Sequence, residues 1–272
     1  MTTGAAGAGM IATRSTADAR PATAIHPPRA ARWHAPRGVS RVSVEQRQAP
    51  AVTEPRSPEV AAGEPRWPMA SAVIAAIVLT ILLPKDVRAG PPWLLPTLEG
   101  LLLTALVLGD PGAIDRRSAA LRALAIGLVG LLVFDALWST AWLVKDLIHG
   151  GALTTSASAL LDAGMLVWVS NNIAFSLLYW QIDGGGPAER LHHRRKHPEL
   201  AFPQDVNPGL APAGWRPVFV DYLYLAFTNA TAFSPTDVMP LVPWAKIAMT
   251  VQSIVSLIVL GLVIARAVNV LA

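Results

Sequence analysis

Hydrophobic residues in this chain gather into long runs that polar residues interrupt only at intervals. Five runs are long enough to cross a bilayer, at 68–83, 93–109, 120–146, 157–181 and 245–271. A sixth, 217–234, is broken by Asp221, Thr228, Asn229 and Thr231. At 1.5 Å per residue it reaches about 27 Å, enough for a thin crossing. Pro68, Pro84, Pro91, Pro92, Pro217, Pro235 and Pro243 stand at run ends, as expected for a residue that cannot continue a helix. Trp67, Trp93, Trp180, Trp215 and Trp244 fall at the boundaries, where an amphipathic ring prefers the headgroup layer. The pattern predicts an all-α, polytopic transmembrane bundle of about six spans over 67–272.

Composition strengthens this picture. The chain is 53% hydrophobic and 15% charged, with a mean hydropathy of +0.43, where a soluble domain carries about 25% charged residues. Residues 1–66 are rich in Ala, Pro and Arg without apolar periodicity, and are expected to be a disordered tail. A cleavable signal peptide is not expected, because the first apolar run begins only near 68. The net charge of +4 resides in the tail and loops, so membrane topology explains it and nucleic acid is not an expected partner. The chain has no cysteine, which excludes disulfides, thiol nucleophiles and thiolate metal sites.

Charge also orients the runs. With the N-terminus cytoplasmic, Arg56, Arg66, Arg116, Arg117, Arg122, Arg190, Arg194, Arg195, Lys196, Arg216 and Arg266 lie inside. Only Lys85, Arg88, Lys145 and Lys246 lie outside. This places 183–216 as a basic cytoplasmic loop and both termini in the cytoplasm of a bacterial cell, with six spans through the inner membrane.

Polar residues within the runs fall on stripes. Asp221, Tyr224, Thr228 and Thr231 share one face of the fifth span, with Asn229 beside it. Phe219, Leu223, Phe227, Ala230 and Phe233 form the apolar face. Asp162, Met165, Val169, Asn172, Ser176 and Tyr179 align in the fourth span, adjoined by Asn171. Gln252, Ser256, Val259 and Arg266 are roughly in line in the sixth. Lipid cannot hydrogen-bond these groups, so the stripes are expected to face the bundle interior.

Glu99, Asp135 and Arg266 are the sharpest cases, since a charge at mid-membrane costs about 2.5–3.5 kcal/mol even on the lenient insertion scale. The candidate polar interior is therefore Glu99, Asp135, Asn171, Asn172, Asp221, Thr228, Asn229, Thr231, Gln252 and Arg266. It supports two readings: a path for a proton or small cation using Glu99, Asp135 and Asp221, or a structural network with one carboxylate neutralised by Arg266.

The loop chemistry points to lipid. Glu189, His193 and His197 share a helical face suited to a metal, but the cations beside them, including Arg194, Arg195 and Lys196, repel a divalent ion. Anionic lipid headgroups at this loop and at the tail are the expected partners, and association with further copies of the chain stays open. Gly184-Gly185-Gly186-Pro187 reads as a break after the fourth span. No Gly-x-Ser-x-Gly or His-Glu-x-x-His motif occurs. No cofactor is expected, and the remaining enzyme reading pairs Asp135 with Asp221.

Two resemblances add to this. Thr231-Ala232-Phe233-Ser234-Pro235-Thr236-Asp237, aligned on Asp237 and Pro240, resembles the pore signature of potassium channels without its two filter glycines. The resemblance implies an ion-conducting loop but not potassium selectivity. Because the fourth span ends inside, 217–234 is expected to cross fully rather than re-enter. More broadly, Tyr179-Trp180, Asp183-Gly184-Gly185-Gly186-Pro187, Phe202-Pro203-Gln204 and the stretch 221–269 resemble an uncharacterised family of bacterial polytopic membrane proteins. That resemblance implies a multi-pass architecture and brings no activity. The functional expectation is passage of a small cation or proton, and the alternative is a non-transporting structural or interaction protein.

Overall fold

Ser118 and Ser156 begin two long helices, each accepting a hydrogen bond from the amide three residues on. Gly150, at φ +73°, ends the first of them in the left-handed turn that glycine adopts without strain. These helices are α3, Ala119–His149, and α4, Ala157–Ile182. The computed structural model describes residues 63–114, 118–150, 156–192, 198–212, 214–231 and 237–271. Before α3 come α1, Trp67–Leu82, and α2, Leu94–Gly109. After α4 come the short α5, Pro187–His192, and α6, Pro203–Val206. Two further helices close the described chain, α7, Phe219–Thr231, and α8, Pro243–Leu271. Two strand pairs tie loops together: β1, Glu64–Pro65, with β2, Ala113–Ile114, and β3, Leu200–Ala201, with β4, Met239–Pro240. The last residues of the expected tail are therefore ordered by strand pairing.

The molecule is an all-α bundle of eight helices among the described residues. Three are long and apolar enough to cross a membrane: α3, α4 with its following turn to Gly185, and α8 to Arg266. The helices α1 and α2 are apolar but shorter, at 16 residues each. Burial decides their arrangement. In α4, 67% of the apolar window is buried, against 28% in α3 and in α8, so α4 is the central helix. It packs against α1, α3, α7 and α8, while α2 packs on α1 and α3. Ile74 and Val78 of α1, Leu101 and Leu108 of α2, and Ile254 and Leu257 of α8 face outward. Apolar outer faces of this extent suit lipid rather than water.

Two apolar clusters mark the two ends. One gathers Met69 and Val73 of α1, Leu106 of α2, Leu177 and Trp180 of α4, Tyr222 and Leu225 of α7, and Ala245 and Met249 of α8. The other gathers Leu83, Val87, Leu143 and Leu147, Leu160 and Ala163 of α4, and Val259 and Val263 of α8. So α1, α3, α4 and α8 run from one cluster towards the other, with α8 antiparallel to α4. They approach closely at Gly164, where an added Cβ would lie 2.7 Å from a methyl carbon of Val263.

The segment expected to form the fifth span behaves differently. Its helix α7 has 13 residues, about 20 Å, and contributes to the first cluster only. Chain on either side of it returns to one place, because β3 pairs with β4 and the Leu241 amide bonds the Glu199 carbonyl at 2.9 Å. The polar stripe also turns out of register. The buried face of α7 is Phe219, Tyr222, Leu225, Ala226 and Ala230, whereas Tyr224, Leu223 and Phe227 are exposed. Leu223 and Phe227 face outward as the apolar face of the expected stripe does, but Tyr224 of the polar stripe turns outward with them. Tyr222 and Asn229 make the hydrogen bonds to Asp183 at the end of α4 and to α8 instead.

Candidate functional site

Charge inside the bundle begins with Glu99 on α2. It is 0% exposed, and neither of its carboxylate oxygens has a hydrogen-bond partner among the described residues. Asp135 of α3 lies near enough to act on it electrostatically. Asp135 is itself buried, accepts a hydrogen bond at Oδ2 from the Thr80 hydroxyl of α1 at 2.8 Å, and leaves Oδ1 without a partner. Ser139, one helical turn on, is buried with an unpartnered hydroxyl. Three helices thus bring two carboxylates and two hydroxyls together with unused acceptor capacity. Buried polar groups are normally satisfied; in Glu99 both oxygens of a fully buried carboxylate are not.

Beside it runs a polar ladder between α3 and α4. The Asn171 amide donates to Thr140 Oγ1 at 2.7 Å and to the Val167 carbonyl at 3.1 Å, while its Oδ1 has no partner. Asn172 donates to the Trp168 carbonyl at 2.9 Å and likewise leaves Oδ1 free of a partner. Ser170 and Ser256 are also buried without partners for their hydroxyls.

The residues expected in the fifth and sixth spans form a closed network instead. Tyr179 and Asn229 both donate to Gln252 Oε1, at 2.7 and 2.8 Å. Gln252 donates to the Ala226 carbonyl, and Ser253 donates to the Asn229 side-chain and backbone oxygens. Each of these groups is engaged, which is how polar residues join helices in lipid. Thr228 and Thr231 donate back to carbonyls of their own helix. Asp221 accepts from the Val218 amide at 2.7 Å and so caps the start of α7.

Two expected pairings are not assembled. Arg266 does not reach Glu99 or Asp135, whose only hydrogen-bond donor among described residues is Thr80. Asp135 and Asp221 do not share a site: Asp221 belongs with Glu64 just before α1, and Asp135 with Thr80 near that helix's other end. Thirteen residues of helix, about 20 Å, separate Trp67 from Thr80. His193 and His197 lie outside the described residues.

A second polar centre, which the residue pattern did not single out, lies at the end of α4. Three consecutive glycines take left-handed φ, +60° at Gly184, +81° at Gly185 and +97° at Gly186, and fold the chain sharply back. The turn lays Arg190 beneath α4, where it donates to the Trp180 and Asp183 carbonyls at 2.7 and 2.6 Å. A Cβ at Gly184 would sit 2.6 Å from Arg190 Cγ, so the close approach itself requires glycine. Asp183, 2% exposed, accepts from the Tyr222 hydroxyl at 2.6 Å and the Leu200 amide at 3.1 Å. Glu64 accepts from Trp180 Nε1 and the Phe219 amide, and Glu199 from the Gly184 amide. The sequence signals for this centre were the break read at Gly184-Gly185-Gly186-Pro187 and the Asp-Gly-Gly-Gly-Pro string of the family resemblance.

Burial pushes the Glu64 carboxyl above its ordinary 4.5, opposed by its bonds to Trp180 and Phe219 and by Arg190. The folded protein therefore holds a proton that the unfolded chain has released. That contribution to stability is complete below 4.5 and is lost as pH rises through the folded value. Thermal melts in detergent from pH 4.5 to 7 should fall more steeply for the wild type than for Glu64→Gln. Parallel curves would show that Glu64 titrates at its ordinary value.

Between the two centres lies a cavity of about 310 Å³. The Arg66–Asp110 ion pair, at 2.8 Å, stands at its polar end, and its walls reach Val73, Leu128, Val129 and Leu177. Asp135 is seven residues beyond Leu128 on α3, about 10 Å further in, with buried Leu132 between them. No protein-family model, curated protein or solved structure matches the chain.

Proposed function

We propose that this protein spans a bacterial inner membrane and passes protons or a small cation, with Glu99 and Asp135 as the step that selects for positive charge. The observation that carries this reading is Glu99: fully buried, with both oxygens unpartnered and a second buried carboxylate beside it. An isolated carboxylate is not stable ionised in such surroundings, so it must hold a proton or face a cation. Polar groups with spare acceptor capacity continue from it at Ser139 and Asn171. The cavity behind Arg66 and Asp110 offers an approach from the Asp183 end, separated from Asp135 by buried Leu132.

The same reading takes five crossings, α1 to α4 and α8, with α7 re-entering from the Asp183 end. Irregular or broken elements at membrane depth occur where protein surrounds them, as α4 and α8 do here. Charge supports this topology. Arg66, Arg122, Arg190, Arg216 and Lys246 lie at the Asp183 end, joined by Arg116, Arg117, Arg194, Arg195 and Lys196 in the connecting sequence. Lys85, Arg88, Lys145 and Arg266 lie at the other, which makes the Asp183 end cytoplasmic.

Purified protein in liposomes, given a proton gradient and then potassium and sodium gradients, tests the proposal. Wild-type protein should dissipate one of them, and Glu99→Gln or Asp135→Asn should return the flux to the protein-free background without loss of thermal stability. No flux for any of the three ions would leave the second reading, a structural membrane protein, which the fully bonded Tyr179–Asn229–Gln252 network supports.

A further inference from the structure

A second cavity, of about 210 Å³, opens at the Asp183 end where α5, the strand before α1 and the chain leading into α7 meet. Its lining includes Glu64, Arg190, Arg216, Gly214 and Pro217. Neither arginine is neutralised by a carboxylate within ion-pair distance among the described residues. Arg190 is 9% exposed; its Nη1 carries both hydrogen bonds to carbonyls, its guanidinium lies 5.0 Å from the centre of the Tyr222 ring, and Nη2 has no hydrogen-bond partner. Arg216 uses one nitrogen on the Leu191 carbonyl at 2.6 Å. The one acid in the lining, Glu64, has both oxygens taken by Trp180 and Phe219.

A buried guanidinium nitrogen left unpaired costs the desolvation of a charged donor. Guanidinium forks match tetrahedral oxyanions, whose several oxygens can take donors from two arginines at once. We infer that this cavity binds a phosphate group between Arg190 and Arg216. The group would join α5 to the segment carrying Arg216 and Pro217, and so brace the start of α7. Two sources share this chemistry, a phospholipid headgroup at the membrane surface and free phosphate.

Calorimetric titration of the detergent-solubilised full chain with inorganic phosphate, in chloride buffer at constant ionic strength, reads the free ligand. Native mass spectrometry from nanodiscs of phosphatidylcholine with phosphatidylglycerol reads the lipid. Arg216→Gln is the test variant, because Arg190 also holds the fold; Arg122→Gln, an exposed arginine on α3, removes the same charge elsewhere. Binding in either assay that Arg216→Gln weakens about tenfold or more, the worth of one charge-assisted pair, while Arg122→Gln leaves it intact, supports the site. Phosphatidylglycerol retention without phosphate binding assigns it to lipid, and phosphate heat that persists in lipid-free micelles assigns it to the free ion. Binding in neither assay, or equal losses in the two variants, overturns the inference.

Discussion

Asp183→Ala should destabilise the folded protein by about 2–4 kcal/mol, the cost of leaving two buried donors without their acceptor. The Tyr222 hydroxyl and the Leu200 amide lose their acceptor, and Arg190 loses the carboxylate that acts on it electrostatically. Tyr222→Phe removes only one neutral donor and should cost about 1 kcal/mol. Asp162 supplies the control: it is an exposed carboxylate on the same helix, and Asp162→Ala should stay within about 0.5 kcal/mol of wild type. Thermal denaturation in a single detergent compares all three. Equal effects at Asp183 and Asp162 would mean that the centre at the end of α4 does not hold α5, β3 and α7 together.

Sidedness is the second large effect, because impermeant labelling of a single cysteine is all or none. No native cysteine interferes. Leu210→Cys and Leu241→Cys, both at exposed positions flanking α7, should react with a membrane-impermeant maleimide from the same face. Ile148→Cys, exposed at the far end of α3, should react only from the opposite face, together with Val268→Cys near the end of α8. A six-span bundle requires the reverse for the first pair, with Leu210→Cys and Leu241→Cys labelled from opposite sides. That outcome would falsify the re-entrant placement of α7 and restore a full crossing.

Much of the architecture was legible from residue order alone. Five apolar runs became helices, since a continuous apolar run needs no partner to declare its preference for lipid and for internal backbone bonding. Proline at run ends marked the boundaries for the same local reason. Glu99 and Asp135 could be singled out because a carboxylate inside an apolar run is costly wherever the helix ends up.

What the residue order left open depends on contacts between distant segments. That the chain on either side of α7 returns to one place follows from Leu200 and Ala201 pairing with Met239 and Pro240, nearly forty residues apart, and α7 is held there by Tyr222 reaching Asp183. Periodicity reports a helix's faces but not which face its neighbours claim, so Asn229 and Gln252 closed into a network while Tyr224 turned outward. Arg266 and Asp135 looked alike as intramembrane charges, yet only Asp135 was brought beside a second carboxylate. The physical reason is common to all three cases. Lipid rewards apolar runs one residue at a time, whereas a buried polar group is settled only by the particular donor or acceptor that folding places within about 3 Å of it.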